Sequence, residues 1–190
     1  NKGCILKQGA GGNTFFKTFS YTLEKHNRFQ SPVVAGSDND SVFWLTNGYG
    51  NLILLDKQAA TIFSPGILGV YGKHPRITSM LLDRDGRSVW VGYYISYESY
   101  EYGSAIGIIH FDGDTVKKRI YENDGLASDF ITAIARDSSE NLWFASMRGI
   151  AVLGNAKLTV YFWDSDGKVF GGCNALFVDK SGMVWTHSDN

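Results

Sequence analysis

The residues of widest chemical repertoire in this chain are four histidines, two cysteines, a cluster of tyrosines and the acidic side chains that punctuate its turns. His26, His74, His110 and His187 share no i,i+2 or i,i+4 interval, the spacings that set two imidazoles on one side of a strand or helix around a metal ion. No metal centre is expected from them. His110 stands in the apolar run Ile108, Ile109, His110, Phe111 and reads as a packed strand residue. Cys4 and Cys173 lie far apart, outside any C-x-x-C or zinc spacing, and read as small buried hydrophobes. Asp83-Arg84-Asp85-Gly86 opens like a calcium loop but lacks the Glu at the twelfth position, so a turn role is expected. A lyase or glycosidase would need paired carboxylates, or a His and Tyr acid/base set, and no nucleophile motif such as G-x-S-x-G occurs. No catalytic residue and no cofactor is expected in this segment.

The remaining candidates concern binding. Segment 93–103 contains Tyr93, Tyr94, Tyr97, Tyr100 and Tyr102, five of the ten tyrosines. A phenol ring offers an apolar face for stacking on a sugar and a hydroxyl for hydrogen bonding. Arg148 offers a planar fork for a carboxylate or sulfate, as an acidic glycan would require. These six residues form the expected ligand-contact set. For the tyrosines the alternative is structural: they continue a hairpin or pack on a neighbouring domain.

The elements that must hold these residues follow from a repeat. Four stretches run Asp, polar turn, apolar, Trp, ending at Trp44, Trp90, Trp143 and Trp185; the Asp precedes the Trp by six residues, or by seven in the second copy. A Gly-led apolar run follows six residues after Trp44 and Trp143 but seventeen after Trp90, so 93–103 is an eleven-residue insertion into a unit of about 42 residues. The third copy reads as four strands: 131–135, 142–145, 150–153 and 158–163. Leu142 to Ala145 and Leu52 to Leu55 are apolar on both pleat faces, so both faces must be covered. Four strands per such period, with both faces covered, predicts an all-β β-propeller of four-stranded antiparallel blades.

The phase assigns 1–30 to an outer half-blade and its connection, 31–64, 76–121 and 130–163 to whole blades, and 173–190 to an inner half-blade, about four blade equivalents in all. Two closures fit: a four-bladed ring whose ends share one blade, which would make an interaction scaffold, or an arc of a larger propeller.

Asp124-Gly125-Leu126 leading to Asp137, followed by Asn141-Leu142-Trp143 and Gly149-Ile150, closely resembles the two-component regulator propeller repeat. The second and fourth copies match it in the hairpin; the first, with Asn39-Asp40 where a Gly is usual, matches weakly. The resemblance favours the arc. It implies the periplasmic sensor region of a membrane-bound hybrid histidine kinase of a two-component system, a type frequent in gut Bacteroidetes, whose blades sense carbohydrate and signal to a kinase beyond this chain. The partners it implies are an oligosaccharide, adjoining blades or domains of the same receptor, and a second copy in the full receptor. A propeller-based carbohydrate-active enzyme is the alternative.

Composition agrees with a folded binding segment. Aromatics at 14% with 22 Gly and 3 Pro suit short strands and tight turns, and 19% charged residues exclude disorder. The net charge of −1 gives no electrostatic case for nucleic acid, and no apolar run nears the roughly 20 residues that span a bilayer, so no direct membrane insertion is expected. The first residues, Asn1-Lys2-Gly3, carry no leader pattern, so any secretion signal is expected to have been removed or to lie outside the segment.

Overall fold

The computed structural model describes residues 2–8, 14–20, 34–36, 42–46, 49–56, 59–72, 74–96, 103–162, 167–168 and 171–189. Among them every regular element longer than one helical turn is a strand. Three four-stranded antiparallel sheets follow one another along the chain. The first contains β3 (Val34–Gly36), β4 (Val42–Thr46), β5 (Leu52–Asp56) and β6 (Ala59–Phe63). The second contains β7 (Pro75–Leu82), β8 (Val89–Ser96), β9 (Gly103–Phe111) and β10 (Val116–Ile120). The third contains β11 (Ile131–Arg136), β12 (Leu142–Ser146), β13 (Gly149–Gly154) and β14 (Lys157–Tyr161). Two-stranded hairpins flank them: β1 (Lys2–Gln8) with β2 (Thr14–Ser20), and β15 (Gly172–Val178) with β16 (Val184–Asp189). Each sheet is a meander in chain order, and β3, β7, β11 and β15 pack in succession as the inner strands. The expected blades are thus present, and among the described residues the sheets do not close into a ring.

The covered faces expected from the sequence are real. Along β8, Val89, Val91 and Tyr93 enter one core with Trp44, Leu52 and Phe111, while Trp90 enters the next core with Ile108, Leu142 and Phe144. Period-two alternation therefore serves two cores at once, one on each side of the blade. A third, smaller core joins Ala145 and Ile150 to Cys173, which is fully buried as the sequence predicts.

The inner strands share an irregularity that alternation does not show. A bulge falls between Ile77 and Ser79, between Ile131 and Ala133, and between Cys173 and Ala175. The extra residue reverses side-chain parity. Ile77 and Met80, three positions apart, consequently enter the same core, as do Ile131 and Ile134 and then Cys173 and Leu176.

The four repeated tryptophans occupy equivalent second-strand positions with graded burial. Trp44 is 0% and Trp90 5% exposed, Trp143 is half-buried, and Trp185 is 57% exposed. The gradient follows what covers each indole: a whole following blade for the first two, the hairpin β15–β16 for Trp143. An indole on a strand covered on both faces is expected to pack between blades; Trp44, Trp90 and Trp143 do so, and Trp185 does not.

Candidate functional site

Second-to-third strand loops and fourth-to-first strand connections leave the blades at the same edge and form a rim. The described ends of the insertion, 93–96 and 103, lie at it. In the third blade the β12–β13 ladder ends at Ser146 opposite Gly149; in the second, β8 and β9 add the pairs Tyr94 with Ala105, Ile95 with Ser104 and Ser96 with Gly103. Part of the insertion thus lengthens the hairpin, the alternative that the alternating tyrosines left open. Its root is packed. Ile95 is 3% exposed in the core with Leu68 and Val70, and it fills the space over Gly72.

The six expected contact residues separate. Tyr93 is fully buried, its hydroxyl donates to the Gly50 carbonyl at 2.8 Å, and burial pushes its ionisation far above the usual phenol range. It is a core residue: position 93 has the parity of Val89 and Val91, which face the first core. Tyr94 is half-buried, tilted against Phe130 with ring centroids 4.9 Å apart. Tyr97, Tyr100 and Tyr102 lie outside the described residues. Arg148 is exposed, with Nη1 3.4 Å from Glu122 Oε1.

Tyr94 and Arg148 therefore meet the same connection, 121–130, which carries Glu122, Asp124 and Asp129. Asp129 Oδ1 accepts the Glu122 amide at 2.5 Å, yet burial, reinforced by Glu122 and Asp124, holds its carboxyl above the ordinary carboxylate value. The field there is negative, and Arg148 is partly offset by Glu122. That arrangement does not favour a polyanion on this part of the rim.

Sequence reasoning missed a neutral stretch of the same rim. Tyr49 is 39%, Ile67 56% and Tyr71 78% exposed, around a 3-10 turn at Pro65–Leu68. Arg119 ties this turn down by donating to the Leu68 carbonyl. The signal available was the run Gly66-Ile67-Leu68-Gly69-Val70-Tyr71, whose apolar residues alternate between core and solvent.

The opposite edge explains the repeated Asp and Trp. Asp137 Oδ1 accepts the amides of Ser139 and Asn141, both at 2.9 Å, while Oδ2 accepts the Trp143 indole at 2.8 Å. Asp179 does the same with Ser181, Met183 and Trp185. One carboxylate closes the turn and orients the indole, which is why the two residues keep a fixed spacing. The turn role expected for the Asp83 to Gly86 segment holds, with Asp85 accepting the Arg87 and Ser88 amides at 2.8 and 2.7 Å.

A family model described as two component regulator propeller matches residues 125–148, from the connection through β11 and β12 to Arg148. The first half of the third blade is thus similar to a two component regulator propeller repeat. Several solved structures are similar to the chain in fold. The extracellular domain of a hybrid two component system of B. thetaiotaomicron matches at TM-score 0.55 and 17% identity, over 95% of this chain and 25% of that one. PorZ, a surface component of the type-IX secretion system of Porphyromonas gingivalis, matches at 0.58 and 16%, over 82% and 23%. A gluconolactonase of Xanthomonas campestris matches at 0.55 and 14%, over 96% and 61%. At these identities the likeness establishes the fold alone. The chain spans about a quarter of the first two structures and under two thirds of the third. No curated protein matches it in sequence. Among the described residues no helix is long and apolar enough to cross a membrane.

Proposed function

We propose that this chain is a ligand-sensing, non-catalytic propeller segment of a membrane-bound receptor of the hybrid two-component type, exposed outside the cytoplasm and responsive to oligosaccharide. The observation that carries the reading is the regulator propeller repeat at 125–148, embedded in a succession of blades of the same build. The rim supports it chemically: exposed Tyr49 and Tyr71 and half-buried Tyr94 offer ring faces at the edge where the second blade is lengthened. Acidic side chains on the opposite edge are committed to structure, since Asp85, Asp112, Asp137 and Asp179 each accept backbone amides of their own turns. The negative connection 121–130 directs the reading toward neutral rather than polyanionic saccharides.

Calorimetric titration of the chain with neutral and sulfated oligosaccharides tests it. Binding of a neutral member, unaltered after prolonged incubation and weakened by Tyr71→Ala or Tyr94→Ala, is the expected result. Turnover of any member, lost on substitution of one carboxylate or histidine, would overturn the non-catalytic assignment.

A further inference from the structure

The interface between the second and third blades departs from the repeat at four positions, and all four meet. First, the hairpin turn after β7 is one residue longer than its counterparts. Asp85 takes over the Arg87 and Ser88 amides, so Asp83 keeps the Trp90 indole on Oδ2, at 2.9 Å, while Oδ1 accepts the adjacent Arg84 amide at 2.7 Å and still faces the third blade. Second, the residue opposite the Trp is aliphatic in the sister blades, Leu54 and Val152, but is His110 here. Its ring stacks on Trp90 at 4.2 Å and 2°, and its buried Nε2 lies 2.9 Å from Asp83 Oδ2 without an aligned hydrogen bond. Third, the last residue of the inner strand is Leu82 or Val178 elsewhere and Arg136 here; its Nη2 crosses to Asp83 Oδ1 at 2.5 Å. Fourth, the turn position held by Gly86 and Gly182 is Glu140, which adopts φ 72°, a conformation that disfavours a side chain. Its carboxylate is engaged by Arg84 from the second blade and lies 3.5 Å from Arg136.

We propose that His110, Asp83 and Arg136 form a proton-sensitive latch between the second and third blades. With the imidazole neutral, the Asp83 carboxylate is free to join the blades through Arg136. A proton taken from solvent by His110 gives Asp83 a cation on its own blade and sets like charge against Arg136. Burial lowers the proton affinity of His110 from its ordinary 6.5; Asp83, Asp85 and Asp112 oppose this and Arg136 reinforces it. Lys118, across the ladder on β10, adds a further exposed cation, and Glu140 beyond Arg136 a further anion. The latched form thus binds a proton less readily than an opened, hydrated one. By linkage the latch is complete above the ordinary histidine value and weakens as pH falls below it.

The test follows the His110 ring by NMR and backbone exchange of β11 by hydrogen–deuterium exchange between pH 7.5 and 5.5, after correction for intrinsic rates, on the full 190-residue chain. Wild type should lose β11 protection, at most about tenfold per pH unit, as the pH falls from the ordinary histidine value toward the lower one at which the latched ring titrates. His110→Val, which restores the residue type of the third blade, should hold protection constant; His110→Gln serves the same purpose if the valine variant does not fold. An equal loss in the substituted chain, or protonation of His110 with β11 protection unchanged, would overturn the latch.

Discussion

Replacing each repeated Trp by Ala should give a graded series that follows what covers it. An indole buries about 200 Å², which at about 25 cal/mol per Å² is about 5 kcal/mol, in line with the 3–5 kcal/mol typical of deep aromatic truncations, here roughly carried over. Trp90 is 5% exposed, stacks on His110 and gives its N–H to Asp83, so Trp90→Ala should cost about 3–5 kcal/mol. Trp44, fully buried with its N–H on the Arg87 carbonyl at 2.7 Å, belongs with it. Trp185 keeps 57% of its surface in water, so scaling the same area leaves about 2 kcal/mol or less. Trp143 should fall between. Urea titration of the four variants, read by circular dichroism at fixed m-value, measures the order. A cost for Trp185→Ala equal to that for Trp90→Ala, or a cost below about 1 kcal/mol for Trp90→Ala, would refute the argument that covering blades set these energies.

Ile95→Ala, within the insertion, should lower stability by about 2–4 kcal/mol, because the side chain is core over Gly72; an unchanged unfolding midpoint would show that the hairpin root is not part of the core. Gly107→Ala should cost about 2 kcal/mol or more, since φ is 66° and a Cβ would run into the Ile120 carbonyl, and a change within 0.5 kcal/mol, roughly the ordinary surface range, would contradict it. Hydrogen bonds from the Ser181 hydroxyl and the Trp185 indole hold Asp179 down at about 2, below its ordinary 3.8. Its contribution is therefore present above that ordinary value and lost as pH falls through the lowered one. Asp179→Asn should flatten the acid limb of the stability profile between those values; an identical limb would show that Asp179 titrates as in the unfolded chain.

The blades were legible because Asp and Trp recur at a nearly fixed spacing, which in the third and fourth copies one carboxylate enforces by closing a turn and orienting an indole together. Segment 93–103 was legible as extra length, but its division was not. Tyr93 follows the strand parity of Val89 and Val91, but how far that parity continues into the insertion, so that Ile95 packs over a neighbouring connection, depends on how the second blade stands against 65–72, which no local pattern encodes. The inner-strand bulges were hidden for a related reason: Ile77 and Met80 share a core only because one residue is left over between them. The latch was the least legible. His110 was read as a packed strand residue, and it is one, but its significance comes from Arg136 and Glu140, which reach Asp83 and Arg84 across more than fifty residues.

The three added pairs of the β8–β9 ladder also change the topography of the rim. At about 3.4 Å per residue, they carry the paired backbone about 10 Å beyond the level where the third blade's hairpin turns. A molecule settling on the rim therefore finds a wall along one side, with Tyr94 and Phe130 at its foot. Linear and branched molecules of equal composition are then no longer equivalent: a chain can lie parallel to the wall, whereas a branch pointing toward it collides with backbone whose hydrogen bonds are already used within the ladder.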